Sequence, residues 1–152
     1  MVCNMKIYLD VCCLNRPFDE MNQDRIRLEA EAIISILSHC RTGKWSLVNS
    51  TAINFEVSKN VDQDKIQRIS NMIGLAKEHI KLDESIAKRT RELEDLGFKR
   101  FDAFHIAFAE KAQVDVLLTT DDKFEKRASR ENIEIQVRVV NPLKWLLERE
   151  GK

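Results

Sequence analysis

The sequence predicts an α/β fold in which a parallel sheet is covered by helices on both faces. Three observations carry that prediction. Short apolar runs of strand length alternate along the chain with longer stretches of helical period. The run from Val114 to Thr119 reads as an apolar strand of the kind buried on both faces. Only four Gly and two Pro occur in 152 residues, which leaves little room for a loop-rich or all-β design.

Taken in order, Lys6 to Asp10 reads as a buried strand ending in an acid. Ile26, Ala30, Ile33, Leu37 and Cys40 recur at helical spacing, with Asn22 or Asp24 as the cap. Trp45 to Asn49 forms a second strand after the break at Gly43, and a short helix from about Thr51 to Lys59 carries Glu56. Asp62 opens a helix with Ile66, Ile69, Ile73 and Ala76 on one face. His79 to Leu82 is a third short strand. Ile86, Leu93 and Leu96 mark a helix that Gly97 stops. Phe101, Phe104, His105 and Phe108 belong to an apolar helix starting near Lys99. After the strand Val114 to Thr119 comes a charged helix around Lys123 to Arg130. Ile133, Ile135, Val137 and Val139 then alternate with polar residues as a last strand. Asn141-Pro142 opens a final helix, with Asn as cap and Pro at the first position. Residues 1–152 read as one domain.

Composition narrows the function classes. The chain is 43% hydrophobic and 33% charged, enough for a real core and a solvated surface. Lys plus Arg and Asp plus Glu are 25 each, so the chain lacks the overall basic field of a DNA-coating protein. Binding to nucleic acid then requires a local basic patch or a bound cation. Cys3, Cys12, Cys13 and Cys40 form no C-x-x-C pair and have no His at zinc-ligand spacing, which argues against structural zinc. They read as reduced thiols in a cytoplasmic protein, Cys12 and Cys13 as small core residues. No apolar run approaches membrane-spanning length, and Met1 to Asp10 lacks the apolar core of a signal peptide, so no membrane association is expected.

The acids fall in a pattern. In an open parallel sheet, ligands bind beyond the carboxyl ends of the strands. Asp10 ends the first strand, and Asp121 and Asp122 come after the strand Val114 to Thr119 with one intervening residue. Glu56 sits about a turn into the helix after the second strand, and Asp102 lies in the first turn of the apolar helix. Carboxylates converging from separate parts of a chain repel one another unless a cation neutralises them. An oxygen-only set without His or Cys suits Mg²⁺ or Mn²⁺ rather than zinc. Such sites usually hydrolyse phosphodiesters: the ion makes a nucleophile of water and stabilises charge on the leaving oxygen.

Each acid also has a plain structural reading. Asp10 can end a strand and cap the segment after it, and Asp102 can be a first-turn acid favoured by the helix dipole. Asp122 with Glu125 has capping-box spacing, and Glu56 alone resembles any solvated glutamate. His105 reads as a packed histidine, and Trp45 and Trp145 as core and interface packing. Lys123, Lys126, Arg127 and Arg130 read as a solvated helix face. Arg16, Lys99 and Arg100 lie nearer the acids and are the candidate RNA contacts.

Four segments together resemble the PIN-domain family of VapC-like toxin ribonucleases over nearly the whole chain. They are Lys6-Ile-Tyr-Leu-Asp10, Ser50 to Glu56, Phe101-Asp-Ala-Phe-His-Ile-Ala-Phe-Ala109, and Leu117-Leu-Thr-Thr-Asp-Asp-Lys-Phe124. The last two are the most specific, and order and spacing agree with the family. The resemblance implies a PIN-like three-layer α/β/α sandwich with a central parallel sheet and a Mg²⁺- or Mn²⁺-dependent ribonuclease site. On the matching positions Asp10, Glu56, Asp102 and Asp121 would be the catalytic and metal-binding acids. Thr119 matches the small polar residue before the last acid, Asp122 would be an accessory, and Asn15 would lie in a loop near Asp10, touching substrate or a ligand-bound water. The family also implies an RNA substrate, a homodimer and a small antitoxin partner.

Two positions depart from the family. Val11 stands where Thr or Ser commonly comes after the first acid, and Lys123 where another acid is frequent. A lost hydroxyl there weakens the support of the first acid. These departures motivate an alternative, a weakly active or non-catalytic PIN-fold module that binds RNA or protein. A receiver-type phosphoryl-transfer domain would need an acidic pair early in the chain, where only Asp10 is found.

Overall fold

A computed structural model describes residues 5–150; Cys3 lies outside the described residues. Five strands form one parallel sheet: β1 (Met5–Leu9), β2 (Trp45–Ser50), β3 (Glu78–Ile80), β4 (Val116–Leu118) and β5 (Val139–Val140), in the order β3-β2-β1-β4-β5. β1 takes the centre because Ile7, Tyr8 and Leu9 are apolar on both faces and wholly buried. The chain winds outward from β1 through β2 to β3, then crosses back to β4 and β5. The switch in direction lies between β1 and β4, and in open parallel sheets ligands bind at the carboxyl ends beside such a switch.

Among the described residues, eight α-helices accompany the strands: α1 (Val11–Asn15), α2 (Asp24–Arg41), α3 (Thr51–Ser58), α4 (Gln63–Ile73), α5 (Glu84–Asp95), α6 (Arg100–Ala112), α7 (Asp122–Ala128) and α8 (Pro142–Glu150). Alternation along the strands sorts them onto the two faces. Trp45 meets Trp145 of α8 edge to face at 5.0 Å, and α2 packs on α8 and β2. The opposite face carries Tyr8 and Ser50, against which α6 sets His105, with α5 packed on α6. Trp145 is only 2% exposed, so the interface role expected for it is replaced by a core role.

Local chemistry sets most helix ends. Asp10, Ser50, Asp62, Asp83 and Asp121 each accept a backbone N–H as N-caps, and Asn141 does the same for Leu143 and Lys144. Gly97 takes the left-handed conformation (φ +104°) that ends α5 without strain. Three expectations need correction. α2 is capped at Gln23, whose side chain makes no capping hydrogen bond, rather than at Asn22 or Asp24. α4 stops at Ile73, leaving Ala76 outside the helix. The last strand begins only at Val139, although alternation suggested Ile133 onward. The Gln136 N–H goes to the Glu110 carboxylate at 2.8 Å, and the Glu134 carbonyl accepts from Arg89 at 3.0 Å. Side chains of α5 and α6 thus take the backbone groups that a ladder would use.

Candidate functional site

Asp10 comes directly after β1 and is 3% exposed. Its Oδ1 accepts the Cys13 N–H at 3.0 Å, which starts α1 at once and turns the expected loop into a helix ending at Asn15. Burial pushes the Asp10 carboxyl up; the Thr119 hydroxyl, His105 and Cys13 act against that rise. Thr119, buried beyond the end of β4, also accepts the Asp121 N–H at 3.1 Å. One hydroxyl therefore ties the first acid to the last. Val11 is buried and offers nothing here, so Thr119 and the Cys13 amide supply the support for Asp10.

Asp121 caps α7 through Oδ1, which accepts the Lys123 and Phe124 amides at 3.0 and 3.2 Å. Asp102 stands in the first turn of α6. Desolvation, then the charges of Asp121 and Asp10, raise its carboxyl to about 6, with His105 and Lys99 opposing. Glu56, on α3, accepts from His105 Nε2 at 2.8 Å. At the second position of α1, the exposed Cys12 thiol feels all four acids. Desolvation holds it far above the ordinary thiol range, with Asp10, Asp121, Glu56 and Asp102 adding to the rise. The four carboxylates thus lie within electrostatic reach of one side chain, Cys12. Among the described residues no three Asp, Glu, His or Cys already stand close enough to grip an ion together. The oxygen-only donors and the charge repulsion at Asp102 fit a hard divalent cation, toward which the side chains would have to close.

No protein-family model matches the chain, and no curated protein matches its sequence. Solved structures do match. FitAcB from Neisseria gonorrhoeae aligns with a TM-score of 0.58 at 16% identity, over 90% of this chain and 97% of that one. PAE2754 from Pyrobaculum aerophilum aligns at 0.59 and 14% identity, over 97% and 91%. VapBC2 from Rickettsia felis, solved with a DNA fragment from its promoter, aligns at 0.54 and 16% identity, over 90% and 98%. The chain has the PIN-domain fold.

On this PIN fold the other candidate residues separate. Asp122 points away from the cluster: both its oxygens take the Arg25 guanidinium, at 2.7 and 2.6 Å. Arg16 is held inward, its Nε 3.1 Å from buried Glu29 and Nη1 3.0 Å from Asp19. Glu29 is a hub that sequence alone did not single out, joining Arg16 and Arg25 and accepting from Asn141 at 2.6 Å. Lys99 and Arg100 are exposed at the start of α6 beside Asp102, Arg100 within 3.6 Å of Glu94. Among the described residues, the buried side-chain oxygen of Asn15 finds no hydrogen-bond partner.

Cys13 is buried and Cys12 exposed, which corrects the expectation that both are core residues. On a helix, adjacent side chains diverge by about 100°, so Cys13 turns inward as Cys12 faces the acids. Tyr8, Ser50 and His105 were missed as site residues. His105 lies three residues after Asp102 on α6, the spacing of one helix face, and Tyr8 shares a strand face with Asp10.

Thr119→Val keeps the side-chain shape and removes both hydrogen bonds. The buried Asp10 carboxyl and the Asp121 amide would each lose a partner. A loss of about 1–3 kcal/mol in urea unfolding without metal is expected. Unchanged stability would show that Thr119 does not join the two acids.

Proposed function

We propose that this chain is a divalent-metal-dependent endoribonuclease, acting as the toxin of a toxin–antitoxin pair. The observation that carries the reading is that Asp102 is both desolvated and faced by the charges of Asp121 and Asp10, which together lift its carboxyl to about 6. Like charges gathered at the ligand-binding edge of a parallel sheet cost stability, and a divalent cation offsets that cost. Asp10 and Asp102 would hold Mg²⁺ or Mn²⁺, with Glu56 and Asp121 completing the set. The ion, when bound, supplies a nucleophile from water at neutral pH and neutralises charge on the phosphate. The chain's own part is to fix the acids, through α1 and α7 capping and Thr119, and to present cations to RNA. Exposed Lys99 and Arg100 serve that end better than Arg16, whose charge is spent on Glu29 and Asp19. The motifs shared with the PIN family support an RNA substrate, a small antitoxin and a homodimer. Among the described residues no helix is long and apolar enough to cross a membrane.

The test is cleavage of a mixed-sequence RNA with Mn²⁺ and with EDTA. Cleavage that appears with Mn²⁺ and stops with EDTA is expected; cleavage indifferent to EDTA would overturn the metal assignment. A second reading, a non-catalytic RNA- or protein-binding PIN module, draws on Val11 and on the absence, among the described residues, of three ligands already drawn together. Calorimetry separates the two, because that module would show no Mn²⁺ binding near millimolar concentration.

A further inference from the structure

Behind Glu56 runs a buried chain of polar groups that none of the roles above uses. Ser50 Oγ lies 2.7 Å from Tyr8 Oη, Tyr8 Oη 2.7 Å from His105 Nδ1, and His105 Nε2 2.8 Å from Glu56 Oε1. Ser50, Tyr8 and His105 are each no more than 2% exposed, while Glu56 is half-buried. The chain thus starts in the core and ends at the acidic cluster. Its direction comes from counting protons. A Glu56 carboxylate only accepts, so Nε2 must carry the hydrogen. In a neutral imidazole Nδ1 is then an acceptor, and Tyr8 donates to it. Tyr8 Oη is left to accept from Ser50, whose own oxygen already accepts the Ile53 N–H at 3.1 Å. Every hydroxyl donates once.

We propose that Ser50, Tyr8 and His105 form a one-way positioning chain that holds Glu56 by Oε1 and leaves Oε2 for a divalent cation. The inference rests on the metal-dependent reading above. Three rigid elements, β1, the end of β2 and α6, meet at the imidazole and dictate where the α3 carboxylate stands. Among the described residues, Oε2 has no hydrogen-bond or ion-pair partner. His105 and Tyr8 act through Glu56, as partners behind metal ligands commonly do, fixing orientation rather than touching substrate.

The test needs no RNA. In ¹⁵N spectra of histidine-labelled wild-type protein, His105 is expected as the Nε2–H tautomer, its signals assigned by their loss in His105→Gln. The Nδ1–H tautomer, or an imidazolium carrying both protons, would overturn the proposal. Mn²⁺ titration then compares wild type, Tyr8→Phe, Glu56→Ala and the double variant. Tyr8→Phe keeps the ring in the core and is expected to weaken Mn²⁺ about 10-fold. In the Glu56→Ala background the same change is expected to cost less than roughly 2-fold, because a residue acting through Glu56 has no effect without it. Equal losses in both backgrounds, or none in either, would overturn the positioning role. A wild type that binds no Mn²⁺ would instead bring down the metal-dependent reading, and this inference with it.

Discussion

Asp10→Asn is expected to lower Mn²⁺-dependent RNA cleavage by on the order of 10³-fold while leaving the metal-free protein as stable as wild type or more so. The two halves rest on different properties of one side chain. As a cap, Asp10 needs only an oxygen for the Cys13 amide and the Thr119 hydroxyl, and an Asn oxygen accepts both. As a charge, it is buried at the centre of an acidic cluster and adds to the repulsion on Asp102. Asn removes that charge. The repulsion falls, so the melting temperature in EDTA should hold or rise. Without the charge, an ion loses a central ligand and several kcal/mol of transition-state stabilisation; about 4 kcal/mol corresponds to roughly 10³-fold in rate. Undiminished cleavage would remove Asp10 from the active site. A drop of more than about 5 °C in EDTA would assign it a structural role and leave its catalytic role unsupported.

The same residue shows how far the sequence could be read. Asp10 stood out because an acid directly after Ile-Tyr-Leu falls at the ligand-binding edge of a strand, and strand periodicity needs no tertiary information. The central strands and the helices between them were legible for that reason. What was not legible depends on distant partners. Alternation from Ile133 to Val139 has the strand period, yet Glu110 and Arg89 bind that backbone from other elements. Asp122 reads from sequence as an accessory to Asp121, yet Arg25, 97 positions away, closes on both its oxygens. Val11 offers Asp10 no hydroxyl, and the one that supports it comes from Thr119, just beyond the end of β4. His105 read correctly as a packed histidine; that it is packed behind Glu56 required knowing where α3 and α6 meet.

A second large effect should appear in stability against pH, and a divalent cation should reverse its sign. The Asp102 carboxyl is raised from 3.8 to about 6, chiefly by desolvation, and Asp10 is raised as well. Between about 4 and 6 the folded chain therefore keeps a proton that the unfolded chain has released. Raising the pH through that window favours the unfolded state, so metal-free stability falls as the cluster ionises. Two pH units correspond to at most about 3 kcal/mol, and Asp102 is partly open to water, so the measured fall should be smaller. Asp83, Asp122 and Glu148 work the other way, held low mainly by hydrogen bonds from the Ile86 amide, Arg25 and Arg138. Their stabilisation is present above the ordinary carboxylate range and is lost as the pH falls below it, so it does not cancel the fall between 4 and 6. Asp83 and Asp122 are exposed and Glu148 is only half-buried, so the three contribute little. A divalent cation binds only the ionised acids, so its stabilisation grows with pH over the same window. Urea unfolding at pH 5 and pH 7.5 should show the protein weaker at pH 7.5 in EDTA and stronger there in Mn²⁺. Parallel pH profiles with and without the ion would mean that these acids do not form a cation site.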